Sequence, residues 1–472
     1  MKNLKPGRIR KINKLNPLYK LDSNSQCLKK SPKIAAVSLG CDKNRIDTET
    51  ILHYLKERGC YIIEDYRDAD LVIINTCSFI DDARQESINT LLKLSQSIDP
   101  SRTKLVMAGC MVEIYGNKLI SQLEELSGAI GVHSYKHLNT FLKALLAGKR
   151  LTIKRRPAKK YFAVSERLLT TSPHSVPVKI AEGCDNHCNY CLIPCIRGNY
   201  RSRPPEDIVK EIALLLNKGT REISLIAQDT TAYGMDNENY PDLTGLIKMI
   251  MELKHNFWLR VMYAYPSRIN DSLINLIASE KRICNYLDIP LQHVNDQVLK
   301  YMGRDYSKAE ILMLITRLRA MVPGISLRTT VMIGHPGEDK KAYDELIRFA
   351  GEYRLENLGS FIYSAQKGTV AYDMQDSVPA RVAKKRRHNL MTKQKAISRS
   401  LNRKYIGKIY PVLIDGPFKN AGNCYIGRTA FQAPEVDGIV VVKSRKLLKP
   451  GEFIKAKICA NSAYNLLAVA II

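Results

Sequence analysis

The sequence predicts an α/β chain of three modules: an N-terminal parallel α/β domain, a central (β/α) barrel and a C-terminal small five-stranded β-barrel. Three observations predict it. Two series of short apolar runs alternate with amphipathic stretches, which is the pattern of parallel strands joined by helical crossovers. The last 65 or so residues hold five strand-like runs and no helical period. The chain has 472 residues, more than one hydrophobic core supports, and its 45% apolar content excludes a largely disordered protein.

In order along the chain, residues 1–32 read as a basic, disordered tail that could act as an electrostatic tether. Residues 33–147 form the first domain. Ile34 to Leu39 is its first strand, and Asp47 to Arg58 is a helix with Ile51, Leu52 and Leu55 on one face, ending at Gly59. Leu71 to Asn75 is a second buried strand; a helix from about Asp82 to Ser97 leads to a third, Lys104 to Ala108. Residues 148–176, with Lys154, Arg155, Arg156, Lys159 and Lys160, read as a linker. Residues 177–400 then carry the barrel series: Glu222 to Ala227, Phe257 to Tyr263, Tyr286 to Ile289, Ser326 to Ile333 and Leu358 to Tyr363. That count suits a partial or complete barrel, whose chemistry sits at the strand C-termini. Residues 381–408 hold eleven Lys or Arg and no acidic residue on a helical stretch. The module at 401–472 has strands near 408–415, 422–430, 438–444, 453–459 and 464–471, a small closed barrel of the OB sort that often binds nucleic acid.

The chemistry is concentrated in cysteines. Cys184, Cys188 and Cys191 are spaced x3 then x2, which lets one short loop place three thiolates on three corners of a cubane iron–sulfur cluster and leaves the fourth iron open. A structural zinc knuckle is the competing reading, but zinc sites take four ligands and usually repeat Cys-x2-Cys pairs. Cys195 would be the fourth thiolate in that case; it is read here as a loop residue outside the cluster. A second set is spread through the first domain. Cys41, Cys77 and Cys110 follow its three strands at intervals of about 35 residues. Right-handed parallel crossovers bring all strand C-termini to one edge, so the three can converge on a second cluster. Any one of them alone would read as a buried small hydrophobe.

Twelve cysteines without a secretory leader point to metal ligands before disulfides. No apolar stretch approaches the roughly 18 residues of a membrane span, so a cytoplasmic protein is expected. A net charge of +27 favours a polyanionic partner such as a ribosome or an RNA, though a solvated basic surface would also carry it.

The order of these parts resembles the radical S-adenosylmethionine (SAM) methylthiotransferase family over about residues 33–472, with the last module corresponding to that family's TRAM domain. Several stretches resemble the RimO branch, which modifies a ribosomal protein, more than the MiaB branch, which modifies tRNA. They are Ser38-Leu39-Gly40-Cys41-Asp42-Lys43-Asn44, which differs from the branch pattern only at Asp42, and Gln228-Asp229-Thr230, where tRNA enzymes usually carry Gln-Asn-Val. Asp288-Ile289-Pro290-Leu291-Gln292-His293, Gly427-Arg428-Thr429 and Ala433-Pro434-Glu435-Val436-Asp437-Gly438 also match.

The resemblance implies addition of a methylthio group to the β-carbon of an aspartate in small-subunit ribosomal protein twelve, on the ribosome or an assembly intermediate. An unactivated C–H bond offers nothing to acid, base or nucleophile, so radical chemistry is required. The resemblance also implies two [4Fe-4S] clusters, on Cys184, Cys188 and Cys191 and on Cys41, Cys77 and Cys110, and two SAM molecules per turnover. It implies an electron donor such as flavodoxin or ferredoxin. Gly334, Pro336 and Gly337 would let backbone approach SAM, and Gln292 and Arg304 would line the barrel mouth. His335 stands where the family more often has an aromatic residue, and His293 reads equally as a core residue. Residues 409–472 hold eight Lys or Arg against four Asp or Glu, so contact with RNA, and with it a tRNA adenosine substrate, stays open. A non-catalytic iron–sulfur RNA-binding protein is the reading from another class.

Overall fold

The computed structural model describes residues 31–157, 166–418 and 422–471; the basic tail up to residue 30, and Lys159 and Lys160, lie outside the described residues. The described chain forms two compact units. The first takes residues up to 172 together with 182–185 and 192–203, and the second takes the rest.

In the first unit, β1 (Lys33–Ser38), β2 (Tyr61–Ile62), β3 (Leu71–Thr76), β4 (Lys104–Gly109), β5 (Gly128–Ile130) and β6 (Leu151–Ile153) form a sheet in the order β2-β1-β3-β4-β5-β6. Every pairing is parallel. All six residues of β3 are buried, as in a central strand covered on both faces. Alternate residues feed two cores: Ile34, Ile73 and Val106 meet Leu52 and Phe141 on one side, while Ala35, Val72 and Met107 meet Leu91 on the other. β6 lies inside the stretch expected to be a linker, pairing Leu151, Thr152 and Ile153 with β5. Three half-buried residues beside a basic run carry no strand period of their own; the sheet edge supplies it.

The second unit opens with β7 (Ser175–Lys179). Short strands β8 (Ala181–Glu182) and β9 (Arg201–Ser202), the latter part of the first unit, flank the cysteine loop in sequence. Then follow β10 (Glu222–Ile226), β11 (Trp258–Val261), β12 (Ile283–Asp288), β13 (Ser326–Ile333) and β14 (Asn357–Ile362), giving one open parallel sheet, β14-β13-β12-β11-β10-β7. The barrel is therefore partial. Its first strand precedes the cysteine loop and contains Pro177, which masks a strand pattern in the sequence but which an edge strand tolerates. The basic helix is Ala380–Asn402, running past the expected module boundary at 400. It buries Ala383, Leu390, Gln394 and Ile397, leaving most of its cations outward. Finally β15 (Ile409–Pro417), β16 (Cys424–Arg428), β17 (Val440–Lys443), β18 (Phe453–Asn461) and β19 (Leu466–Ile471) close a barrel in the order β15-β16-β17-β19-β18. Val412, Ile414, Val440, Val442, Ile458 and Leu466 fill it.

This small barrel joins the open sheet through buried charge. Arg428 of β16 donates to Glu222 of β10 at 2.6 Å and to both oxygens of Asp415 at 2.8 Å. Arg260 of β11 grips the other Glu222 oxygen at 2.9 and 3.2 Å and donates to the Ala430 carbonyl. Burial alone would raise the Glu222 pKa, but the Arg428 and Arg260 guanidinium groups outweigh it and hold the carboxyl below its ordinary value. Removing one partner strands the others in a dry interior, so Arg428→Met should lower stability by about 3–5 kcal/mol. Urea denaturation measures it, and adding Glu222→Gln should recover part of the loss because the two residues share one interaction.

Candidate active-site cysteines and their surroundings

In the first unit the three cysteine-bearing strands β1, β3 and β4 are neighbours in the sheet, so their C-terminal ends stand side by side. Cys41 sits at the N-cap of the helix Asp42–Lys56, Cys77 follows β3, and Cys110 opens the short helix Cys110–Tyr115. Gly40 is pressed so close to the next strand end that a Cβ there would come 2.5 Å from Cys77 Cβ. The three cysteines thus follow the ends of three neighbouring strands.

Asn44 ties these ends. Its Nδ2 donates to the carbonyls of Leu39 at 3.2 Å and Thr76 at 2.8 Å, while its Oδ1 lies 3.5 Å from Cys110 Sγ. Arg197, 2% exposed, reaches the same point. It donates to Cys110 Sγ at 3.2 Å, to Asn44 Oδ1 and Asp47 at 2.5 Å, and to Glu182 at 3.2 Å. Burial pushes the Cys77 thiol up to about 12, with Cys41 and Cys110 adding to the shift. Burial also takes Cys110 to about 11 against the pull of Arg197. Buried thiols that resist ionising, as Cys77 and Cys110 do, suit a cationic iron centre that takes the place of their protons. Among the described residues, no three His, Cys, Asp or Glu side chains are gathered as ligands of a metal ion. The fit therefore rests on donor chemistry and placement.

The second cysteine loop is fastened at both ends. In the first unit Cys184 N donates to the Gly198 carbonyl at 3.1 Å and Tyr200 N to Asp185 at 2.9 Å. In the second unit Asn189 N donates to the Met302 carbonyl at 3.0 Å, Asn189 Nδ2 to that of Tyr301, and Ala371 N to that of Asn189. Cys191 N closes a tight turn onto the Cys188 carbonyl. Arg304 donates to Cys188 Sγ at 3.2 Å, to the Pro290 carbonyl at 2.9 Å and to Tyr306 at 2.6 Å, with its guanidinium over the Tyr265 ring. Asp229 binds Asn186 of the loop at 3.0 Å and pairs with Arg268. Cys195 is exposed on the helix Ile193–Arg197 rather than in a loop.

Past the ends of β12, β13 and β14 lie polar atoms with no hydrogen-bond partner among the described residues: Gln292 Oε1, His293 Nε2 (4.0 Å from a Glu338 oxygen), His335 Nε2 and Tyr363 OH. Gln292 holds a left-handed backbone, φ +67°, while bridging to Val331, a strain that a non-glycine residue rarely keeps without a use. His293 Nδ1 accepts from Asn295 N at 3.0 Å, so its Nε2 carries the proton. His335 Nδ1 faces the Pro336 carbonyl at 2.8 Å and must donate, so its Nε2 is an acceptor. A polar ligand that both donates and accepts would satisfy this set, and SAM does both. The glycines expected to free space for a ligand face protein instead. A Cβ at Gly337 would strike the Tyr301 ring at 2.4 Å, and one at Gly334 would come 2.9 Å from Ala383. Pro336 contributes the carbonyl that fixes the His335 tautomer.

Three family models match the chain: "Uncharacterized protein family UPF0004" over residues 33–131, "Radical SAM superfamily" over 178–350 and "TRAM domain" over 406–471. Among curated relatives, "Ribosomal protein uS12 methylthiotransferase RimO" of Pelotomaculum thermopropionicum is 40% identical, over 92% of this chain and 98% of its own. The protein of the same name from Clostridium kluyveri is 41% identical over 93% and 98%. The chain belongs to the RimO branch of the radical SAM methylthiotransferase family. It is thus an enzyme, and membership brings SAM and a [4Fe-4S] cluster with it. Among solved structures, the radical SAM methyltransferase TsrM from Kitasatospora setae is similar in fold, with a TM-score of 0.54 at 13% identity over 73% of this chain and 74% of that one. No helix among the described residues is long and apolar enough to cross a membrane.

Sequence reasoning missed Gly303 as part of the loop's support. At φ +69°, it presses on the loop so closely that a Cβ would sit 2.4 Å from the His187 carbonyl. Gly303→Ala should therefore cost about 1–3 kcal/mol and reduce iron loading after anaerobic reconstitution. Burial also lowers His293 from 6.5 to about 3 and His335 from 6.5 to about 4. Both stay neutral when folded, whereas the unfolded chain takes up protons below its own pKa. Their stabilisation is complete above pH 6.5 and is lost as pH falls toward 4, each at up to about 1.4 kcal/mol per pH unit. Urea midpoints at pH 7.5 and 5 should show the slope, and His335→Phe should flatten it by one group's share.

Proposed function

We propose that the chain adds a methylthio group to the β-carbon of an aspartate in small-subunit ribosomal protein uS12, and that it does so on the ribosome or an assembly intermediate in the cytoplasm. The observation that carries this reading is the roughly 40% identity to RimO proteins across 98% of their length. Asp229, the residue that marks this branch in Gln228-Asp229-Thr230, supports it, being bonded to the cysteine loop through Asn186. The relatives' names favour uS12 over a tRNA adenosine.

In this reading Cys184, Cys188 and Cys191 hold one [4Fe-4S] cluster with an open iron, and Cys41, Cys77 and Cys110 hold a second. Gln292, Arg304, His293, His335 and the Gly334–Gly337 turn surround SAM. Bound there, SAM and the clusters supply the hydrogen abstraction, the sulfur and the methyl group that an unactivated carbon requires. The chain's own work is placement and exclusion. Arg304 fixes the Cys188 sulfur, the 301–304 turn fixes the loop, and burial keeps water from the Cys77 and Cys110 sulfurs, while Cys41 is exposed. A flavodoxin or ferredoxin would deliver electrons. The outward cations of helix Ala380–Asn402 and the terminal barrel would meet rRNA phosphates around the target.

Intact-mass analysis of small-subunit proteins from cells with and without the gene tests the reading: a methylthio increment on uS12 should depend on the gene, and its appearance on tRNA instead would reject it. Cys77→Ala should still cleave SAM to methionine and 5′-deoxyadenosine while transferring no sulfur. Product chromatography with substrate mass analysis separates the two activities.

A further inference from the structure

Arg197 is a buried arginine at the end of an otherwise apolar stretch, Leu192-Ile193-Pro194-Cys195-Ile196, and its four acceptors come from three segments of the first unit, Asn44 and Asp47 sharing one helix. An arginine needed only to neutralise Asp47 and Glu182 could spend its fork on their carboxylates. Here one terminal nitrogen serves both carboxylates, and the other is turned to Asn44 Oδ1 and Cys110 Sγ. The orientation of Asn44 is forced, because its Nδ2 uses both hydrogens on the Leu39 and Thr76 carbonyls, leaving Oδ1 to face the guanidinium. The same network positions the donor and the sulfur.

We propose that Arg197 is a positioning residue for the sulfur-presenting centre: clamped by Asp47, Glu182 and Asn44, it donates a hydrogen bond to the Cys110 sulfur and thereby sets the potential of the cluster on Cys41, Cys77 and Cys110. The inference rests on the two-cluster reading above. An N–H donor on a ligand sulfur draws off electron density and favours the reduced, more negative cluster, which raises its reduction potential. The planar fork matters as much as the charge, since a lysine ammonium cannot span four acceptors in this geometry.

The test uses the full-length chain carrying Cys184→Ala, Cys188→Ala and Cys191→Ala, so that only the second centre loads, with reductive titration followed by electron paramagnetic resonance. Arg197→Met should shift the midpoint to lower potential, and Arg197→Lys should fall between Met and the parent. Arg197→Met with full iron at the parent's potential would overturn the proposal. If that variant fails to hold iron, Arg197→Lys decides alone, and a midpoint equal to the parent's overturns it. Iron counting on the chain with all its cysteines separates this from the underlying reading: about eight irons per chain are expected for two cubanes, and about four would remove the second cluster itself.

Discussion

Three parallel strands side by side constrain everything that happens in the first unit. β1, β3 and β4 are adjacent and parallel, and neighbouring strands in a sheet stand only about 4.8 Å apart. Any residue that follows such a strand is delivered to the same edge. Cys41, Cys77 and Cys110 are placed by topology before any side-chain interaction is considered, and Asn44 then removes the remaining slack by bonding to two of the strand ends and facing the third sulfur. A one-residue change of register in β3 would exchange Val72 and Ile74 with Ile73 between the two cores and misfit both, so the position of Cys77 is held by their packing as firmly as by its own contacts.

Buried guanidinium groups recur at the places where precision is needed. Arg197 meets Cys110, Arg304 meets Cys188, and Arg428 with Arg260 holds Glu222 at the junction of the terminal barrel with the open sheet. The surroundings differ. Arg197 and Arg428 are held by carboxylates, which fix their direction, whereas the groups bonded to Arg304 are a sulfur, a carbonyl and a phenol, with aromatic rings above. Desolvation disfavours a charge so placed unless a negative group joins it, and thiolates bound to iron are such a group.

Much of this was legible in the sequence because the chemistry follows strands of clear apolar period. β1, β3, β4 and β13 lie at nearly the limits their apolar runs predict, and Cys41, Cys77 and Cys110 follow the first three of them. β6 and β7 were not legible. One is three residues beside a run of arginines, the other contains Pro177, and both are edge strands whose pairing comes from the neighbour rather than from their own pattern. Gly303, Asn44 and Arg197 were hidden for a different reason: each acts on a residue far away in the chain, and local spacing says nothing about such a meeting. An arginine at the end of an apolar stretch next to a cysteine loop was the one available signal.

The glycines of Gly334-His335-Pro336-Gly337 are required by packing on their side-chain side. Their positive φ values are real, but the space that a side chain would occupy is taken by Tyr301 and Ala383. The turn is shaped by its own packing, and what it presents is His335, whose tautomer is set by the Pro336 carbonyl. With His293 protonated on Nε2 and His335 bare there, the wall offers one donor and one acceptor, and Gln292 adds a second acceptor on a strained backbone. A ligand that fits must alternate its own donors and acceptors to match. Selectivity at such a wall comes from the cost of leaving any of these buried atoms unpaired, roughly 1–3 kcal/mol each, rather than from the strength of the bonds it makes.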